Sequence, residues 1–252
     1  MLNIVVPMAG AGSRFAKVGY VDPKPLIPIH GIPMIRYVIE NLRPACEHRF
    51  IFICQQSHDQ QYGLGENLRK WAPGSVVVTI NGMTEGAACT VLAAQEYIDN
   101  DNQLMIANSD QFVDYDINDY LAKMSAEQLD GLIMTMTADD PKWSFIAIDA
   151  DGAITRVVEK EVISNEATVG IYNFARGADF VAGAKEMIAM NERVNNEFYV
   201  APVYNRLIAR GQKFGYVNVG SEQHGMYGLG IPADLDFFLA HPVSRSLDWS
   251  AA

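Results

Sequence analysis

The segment Pro7-Met8-Ala9-Gly10-Ala11-Gly12-Ser13-Arg14-Phe15 follows a short apolar run and joins small residues to a guanidinium. Small side chains at Ala9, Gly10, Ala11, Gly12 and Ser13 let backbone amides approach anionic oxygens, and Arg14 adds a planar fork of donors. Read alone, the loop is a phosphate cradle or a plain turn. It is not a Walker A loop, because the Gly-Lys-Ser/Thr ending is missing. It is not the dinucleotide fingerprint, since Phe15 stands where the third glycine belongs. Ten residues after Arg14, Lys24 lies between Pro23 and Pro25, with Pro28 close behind. The prolines predict an extended segment. A lysine held in this way suits a second phosphate contact better than a solvated loop.

Two further segments carry groups of the right chemistry. Gly82-Met83-Thr84-Glu85-Gly86-Ala87-Ala88 follows a strand pattern and opens a helical one. Free amides at a helix start can read a base edge or an anion; Thr84 as an ordinary cap is the plainer alternative. Asn108-Ser109-Asp110 follows the apolar run Leu104-Met105-Ile106-Ala107. A carboxylate at the carboxyl end of a strand is well placed to hold Mg²⁺.

These loops need elements to position them. Residues 2–6, 50–54, 75–80 and 103–107 read as strands, and 34–42, 60–71 and 87–98 as helices, the second of these poorly patterned. Ile35, Val38, Ile39 and Leu42 share one helical face. The β-α-β-α order predicts a mostly parallel, doubly wound sheet, with ligands outside the carboxyl ends of its strands. The loops after residues 6, 80 and 107 are therefore the informative ones. The pattern then turns β-rich at 131–136, 144–149, 153–158 and 168–174, with a hairpin signal at Asp151-Gly152. Helices over 177–191 and 201–210 and a strand over 214–219 complete it. No repeat or linker interrupts the 252 residues. One domain over 1–252 is expected, with a first half over about 1–130 and a second, over about 131–252, that adds a substrate-covering lobe.

Composition limits the function classes. Hydrophobic residues make up 49%, enough for a core. No apolar run approaches the roughly 20 residues that span a bilayer. The amino terminus lacks a basic region ahead of its short apolar run, so the cytoplasm is the expected compartment. A net charge of -11 argues against nucleic acid and anionic membranes as partners. An anionic substrate then requires locally clustered cations. Cys46, Cys54 and Cys89 are too few and too widely spaced for a disulfide framework or a zinc site, and are expected to be buried free thiols.

The glycine loop ending in Arg14, then Pro23-Lys24-Pro25-Leu26, then Gly31-Ile32-Pro33-Met34-Ile35, resembles the sugar-phosphate nucleotidyltransferase family. The resemblance covers nearly the whole chain. It implies an α/β, Rossmann-like fold of the glycosyltransferase-A type: a mixed, mostly parallel sheet with helices on both faces and a small β-rich acceptor lobe. It implies transfer of a nucleoside monophosphate from an NTP to a small phosphorylated acceptor, with release of pyrophosphate and Mg²⁺ as cofactor. Arg14 and Lys24 would neutralise the triphosphate, and Asp110 would hold the metal. Ala9 to Ser13, Glu85, Gly86, Ala87 and Ser109 would bind the nucleotide. Val157-Val158-Glu159-Lys160 followed by Val169-Gly170-Ile171-Tyr172 resembles the acceptor segment, in which Glu159 meets the acceptor body and Lys160 its phosphate. Gly170, Tyr172, Glu197 and Tyr199 join that set. Trp143 is core or pocket wall.

The compact chain, its Glu197-Phe198-Tyr199 segment and its Gly228-Leu229-Gly230 closure look most like cytidylyltransferases of capsule or lipopolysaccharide pathways, which favours CTP. The alternative is a uridylyl- or thymidylyltransferase acting on a sugar 1-phosphate. A non-catalytic nucleotide-sensing subunit is the reading from another class. Its support is a departure: Gly228 stands where many members carry a second metal-binding Asp. A water, Asp234 or Asp236 would have to compensate. Homo-oligomerisation is compatible with the sequence.

Overall fold

The computed structural model describes residues 1–247 and Trp249; residues 248 and 250–252 of the expected domain span lie outside the described residues. The first half runs β1 (Leu2–Pro7), α1 (Ser13–Ala16), β2 (Pro28–Ile29), β3 (Ile32–Pro33), α2 (Met34–Leu42), β4 (His48–Gln55), α3 (Gln56–Tyr62), α4 (Leu64–Trp71) and β5 (Val76–Ile80). It continues with α5 (Ala87–Leu92), α6 (Gln95–Ile98), β6 (Gln103–Ala107), β7 (Gln111–Val113) and α7 (Ile117–Ala126). The second half runs β8 (Gly131–Thr137), β9 (Ser144–Ile148), β10 (Ile154–Glu159), β11 (Glu166–Phe174), α8 (Gly177–Ala189), α9 (Val203–Ile208), β12 (Phe214–Glu222), β13 (Gly225–Gly228) and α10 (Pro232–Ala240).

Eleven strands form one mixed sheet in the order β5-β4-β1-β6-β11-β8-β12-β13-β7, with the β9/β10 hairpin joined through β11. β5, β4, β1 and β6 are mutually parallel, so Ile80, Gln55, Pro7 and Ala107 end on one edge. β11 enters antiparallel, with Ile171 opposite Ala107. The middle of β11 therefore meets the carboxyl end of β6.

Alternation along β1 shows how the sheet is covered. Leu2, Ile4 and Val6 pack with α2, α4 and α7 on one face, while Val5 packs with α5, α6, α8 and α9 on the other. Each such fully buried aliphatic side chain contributes about 1.5–3 kcal/mol. The α2 stripe Ile35, Val38, Ile39 and Leu42 is buried as its spacing requires. Met34 and Tyr37 bury a second side of α2 against Phe112, Tyr227 and Phe238. No helix among the described residues is long and apolar enough to cross a membrane.

Four local expectations are corrected. The helix expected over 60–71 is two helices, because Gly63 takes a left-handed φ of 59° and Asp59 Oδ1 accepts from the Gly65 amide at 2.6 Å. The helix over 87–98 breaks after Leu92, where the Ala94 amide bonds to Val91 rather than continuing the α-helical ladder. The proline segment is not extended throughout: Lys24–Leu26 form a 3-10 turn, which tolerates Pro25 because its first residues need no N–H donor, before the chain extends again at Ile27 into β2. Of the three thiols, Cys54 is buried, Cys89 is half-buried and Cys46 is exposed.

Candidate active site

Two adjoining cavities lie over the carboxyl ends of β1, β5 and β6. The larger is about 520 Å³ and the smaller about 320 Å³. Both are lined by Pro7, Ala87, Asn108 and Tyr199, so they meet there.

The larger cavity gathers Ala9, Gly10, Arg14, Lys24, Gly86, Ala87, Ser109 and Asp110, all expected on the nucleotide side. Lys24 Nζ donates to Asp110 Oδ2 at 2.7 Å. Among the described residues no carboxylate pairs with Arg14. Ala11, Gly12 and Ser13 do not line the cavity. Gly12 is left-handed at φ 60°, opens α1, and lies against Lys24, where a Cβ on Gly12 would sit 3.5 Å from the lysine Cβ.

The helix start after β5 differs from the expectation in two respects. Its Ala88 amide is not free, because the Phe198 carbonyl accepts from it at 3.0 Å, while Phe198 N donates to the Glu85 carbonyl at 2.8 Å. The approach depends on glycine: Gly86 has φ 125°, and a Cβ there would lie 2.5 Å from Phe198 N and O. The Glu85 carboxylate lines neither cavity and pairs with Arg193 at 2.9 Å. Thr84 is no cap. Its hydroxyl donates to the Gly86 carbonyl at 3.0 Å and contacts Thr90 Oγ1 at 2.6 Å.

The smaller cavity holds Glu159, Lys160, Gly170, Tyr172 and Tyr199. Glu197 lines the larger cavity instead. Lys160 Nζ donates to Tyr199 Oη at 2.7 Å, and this bond chiefly holds the ammonium above its ordinary pKa. The Lys160 backbone is left-handed at φ 58°, and its amide donates to the Trp143 carbonyl at 3.0 Å. Glu159 is buried, and burial pushes its carboxyl above the usual range; the hydrogen bond donated by Ser144 Oγ acts in the opposite sense. Tyr172 Oη and Thr168 Oγ1 are 2.9 Å apart, and burial raises the phenol. Trp143 is both wall and core edge, since it lines the cavity and packs on the apolar cluster beneath. Lys142 and Ser144, neighbours of Trp143, line this cavity without having been singled out; no spacing rule marks them.

The Gly228 position also has a structural answer. A Cβ on Gly228 would sit 3.1 Å from Asp234 Oδ2, and one on Gly230 would sit 2.5 Å from Asp110 Oδ2. Each glycine leaves room for a carboxylate from elsewhere. Burial, then Glu222, raises the Asp234 carboxyl, against Lys142 and Arg14. Among the described residues no three His, Cys, Asp or Glu side chains gather as a metal cluster.

The nucleotidyl transferase family's sequence profile matches residues 4–218. The chain belongs to the nucleotidyl transferase family. A nucleoside-diphosphate-sugar pyrophosphorylase from Vibrio cholerae is 26% identical and superimposes with a TM-score of 0.79, covering 94% of this chain and 100% of that one. A glucose-1-phosphate thymidylyltransferase described as putative, from Bacillus anthracis, shares the fold at a TM-score of 0.74 and 19% identity, over 99% and 98% of the two chains. The bifunctional protein GlmU of Methanococcus maripaludis is 25% identical over 85% of this chain and 49% of its own length. A mannose-1-phosphate guanyltransferase from Pichia angusta is 26% identical over 67% of this chain and 48% of its own. This nucleotidyltransferase chain thus spans about half the length of the curated relatives it matches.

Proposed function

We propose that the chain transfers a nucleoside monophosphate from an NTP to a sugar 1-phosphate and releases pyrophosphate. The observation that carries this is the meeting of two cavities with separate cations. Arg14 and Lys24 line one, and Lys160 lines the other. A triphosphate in the larger cavity and a phosphate monoester in the smaller would bring two anions together where the cavities join. A phosphate monoester near neutral pH is already nucleophilic, so the protein needs to orient and neutralise rather than deprotonate. Arg14 and Lys24 neutralise the triphosphate. Lys160, held by Tyr199, receives the acceptor phosphate. Glu159, with Ser144 on one oxygen, offers its other oxygen to a sugar hydroxyl.

The hard oxygen of Asp110 fits Mg²⁺, which commonly binds through one or two carboxylates plus substrate phosphates. When bound it would supply charge neutralisation at the phosphates. The chain is read as one domain with a nucleotide half and an acceptor half, working in the cytoplasm where NTPs are made.

For the base, the uridylyl or thymidylyl alternative is better supported than CTP. Glu85, the carboxylate at the helix start that could accept from a cytosine amine, is engaged by Arg193. The Vibrio cholerae and Pichia angusta relatives are named for sugar nucleotide chemistry, which supports a sugar 1-phosphate as acceptor. Calorimetric titration of UTP, dTTP, CTP, ATP and GTP with Mg²⁺ tests the base. Tighter binding of UTP or dTTP than CTP is expected; the reverse order restores the cytidylyl reading.

A further inference from the structure

The transferred phosphoryl group must cross where the two cavities meet. Of the four residues there, Pro7 and Ala87 have no polar side-chain atom, and the Tyr199 hydroxyl accepts from Lys160 while its proton faces the Glu197 carboxylate. The cations are not shared between the cavities: Arg14 and Lys24 line only the larger, and Lys142 and Lys160 only the smaller. Asn108 is what remains. It is exposed between buried Ala107 and Ser109.

Its setting is constructed. The Asn108 amide donates to the Gly170 carbonyl at 3.0 Å. Gly170 lies at an irregularity in β11 with φ 83°, and a Cβ there would sit 2.1 Å from Asn108 Nδ2. The side-chain amide thus occupies space that only a glycine leaves. Behind it, Asn108 Nδ2 donates to Gln111 Oε1 at a long 3.4 Å. Gln111 is 5% exposed, and its Nε2 has no partner among the described residues. A buried donor without a partner is costly. Reversing the pair, so that Gln111 Nε2 donates to Asn108 Oδ1, exchanges the buried unpaired donor for a buried unpaired carbonyl oxygen, the better tolerated of the two, and frees both Asn108 Nδ2 hydrogens for the junction.

We propose that Asn108 is a catalytic residue that donates from Nδ2 to a non-bridging oxygen of the phosphoryl group in transit, and that Gln111 is the positioning residue that sets its polarity. The proposal rests on the nucleotidyl-transfer reading. In that step an acceptor phosphate oxygen bonds to the α-phosphorus, and the α–β bridging bond breaks. Pyrophosphate leaves with the electron pair, and no proton passes through Asn108. A neutral donor at the junction stabilises charge spread over the transferring group without drawing either anion out of its own cavity.

The test pairs turnover with binding. Asn108→Leu removes the donor, Asn108→Asp keeps the shape but replaces the donor with negative charge, and Gln111→Glu leaves only acceptors beside Asn108. Pyrophosphate release is measured with UTP and glucose 1-phosphate, and binding with an α,β-methylene analogue of UTP by calorimetry. Asn108→Leu is expected to lose about a hundredfold in kcat with unchanged analogue affinity and melting temperature. Asn108→Asp is expected to lose more, and Gln111→Glu to lose less than Asn108→Leu. Should Asn108→Leu fail to fold, Asn108→Asp carries the same test. Wild-type kcat in the Asn108 variants overturns the proposal, as does a loss of analogue affinity equal to the loss in kcat. A wild-type enzyme that releases no pyrophosphate with any NTP and sugar phosphate overturns the functional reading beneath it, and is recognised before any variant is made.

Discussion

Lys24 Nζ and Asp110 Oδ2, 86 residues apart in the chain, stand 2.7 Å apart in the larger cavity. The side chains are 20% and 25% exposed, so water screens the pair and its contribution to stability is about 1 kcal/mol or less. Its position matters more than its strength, since it presents both groups to a triphosphate. Lys24→Ala and Asp110→Asn are expected to melt close to wild type. Each should lose about a hundredfold or more in kcat/KM for the NTP. Thermal melts and steady-state kinetics check both parts; near-normal turnover in Asp110→Asn with saturating Mg²⁺ would remove it as the metal ligand.

Gly86→Ala places a Cβ 2.5 Å from two backbone atoms of Phe198, at a φ of 125° that L residues rarely adopt. Strain and overpacking together predict a loss of about 2–4 kcal/mol. Urea denaturation measures it. The 197–199 segment should part from the helix start, so nucleotide affinity should fall too. An unchanged urea midpoint would mean that the two segments do not depend on each other.

Lys160→Ala is expected to raise the KM for the acceptor by roughly ten- to a hundredfold, the value of one charged hydrogen bond. Tyr199→Phe keeps the ring and removes only the hydroxyl that orients Lys160, so a rise of a few-fold is expected. NTP affinity should hold in Lys160→Ala, as Lys160 lines only the smaller cavity. Equal damage to both substrates would contradict the division of roles.

Glu159 gives a pH dependence with a definite sign. Its folded carboxyl is held above the ordinary range by burial, so the native state keeps the proton longer than the unfolded chain does. The associated stability is fully present below the ordinary carboxylate range and lost as pH rises through the raised folded value. Glu159→Gln does not titrate. The stability difference should therefore move in the variant's favour as pH climbs through that window, then level off. Urea melts at a series of pH values show this trend; a difference that is constant with pH would refute the buried, raised carboxyl.

Much of the nucleotide half was legible because each strand there is a short apolar run and each informative loop follows its carboxyl end. That rule puts Arg14 and Asp110 in loops after the carboxyl ends of β1 and β6; grouping them with Lys24 at one site is what the family resemblance implies. Elements of other kinds were missed. α7 has only Ile117, Tyr120 and Met124 as its buried stripe, and α10 crowds Leu235, Phe237, Phe238 and Leu239 without a clear face. The breaks at Gly63 and Ala94 sit inside patterns that look continuous. Long-range side-chain commitments were not legible: Glu85 and Arg193 are 108 residues apart, whereas Asp234, one of the carboxylates named as able to compensate for Gly228, does lie beside it.

The central claim is nucleotidyl transfer between two cavities, and its most direct measurement is phosphorus NMR of the purified protein with Mg²⁺, an NTP and a sugar 1-phosphate, run as a panel over both substrates. Pyrophosphate and a nucleoside diphosphate sugar are expected in equal amounts, only when both substrates and the metal are present, with UTP or dTTP as the better donor. An NTP that binds but yields no pyrophosphate with any acceptor would contradict the claim, and would leave a nucleotide-sensing protein in its place.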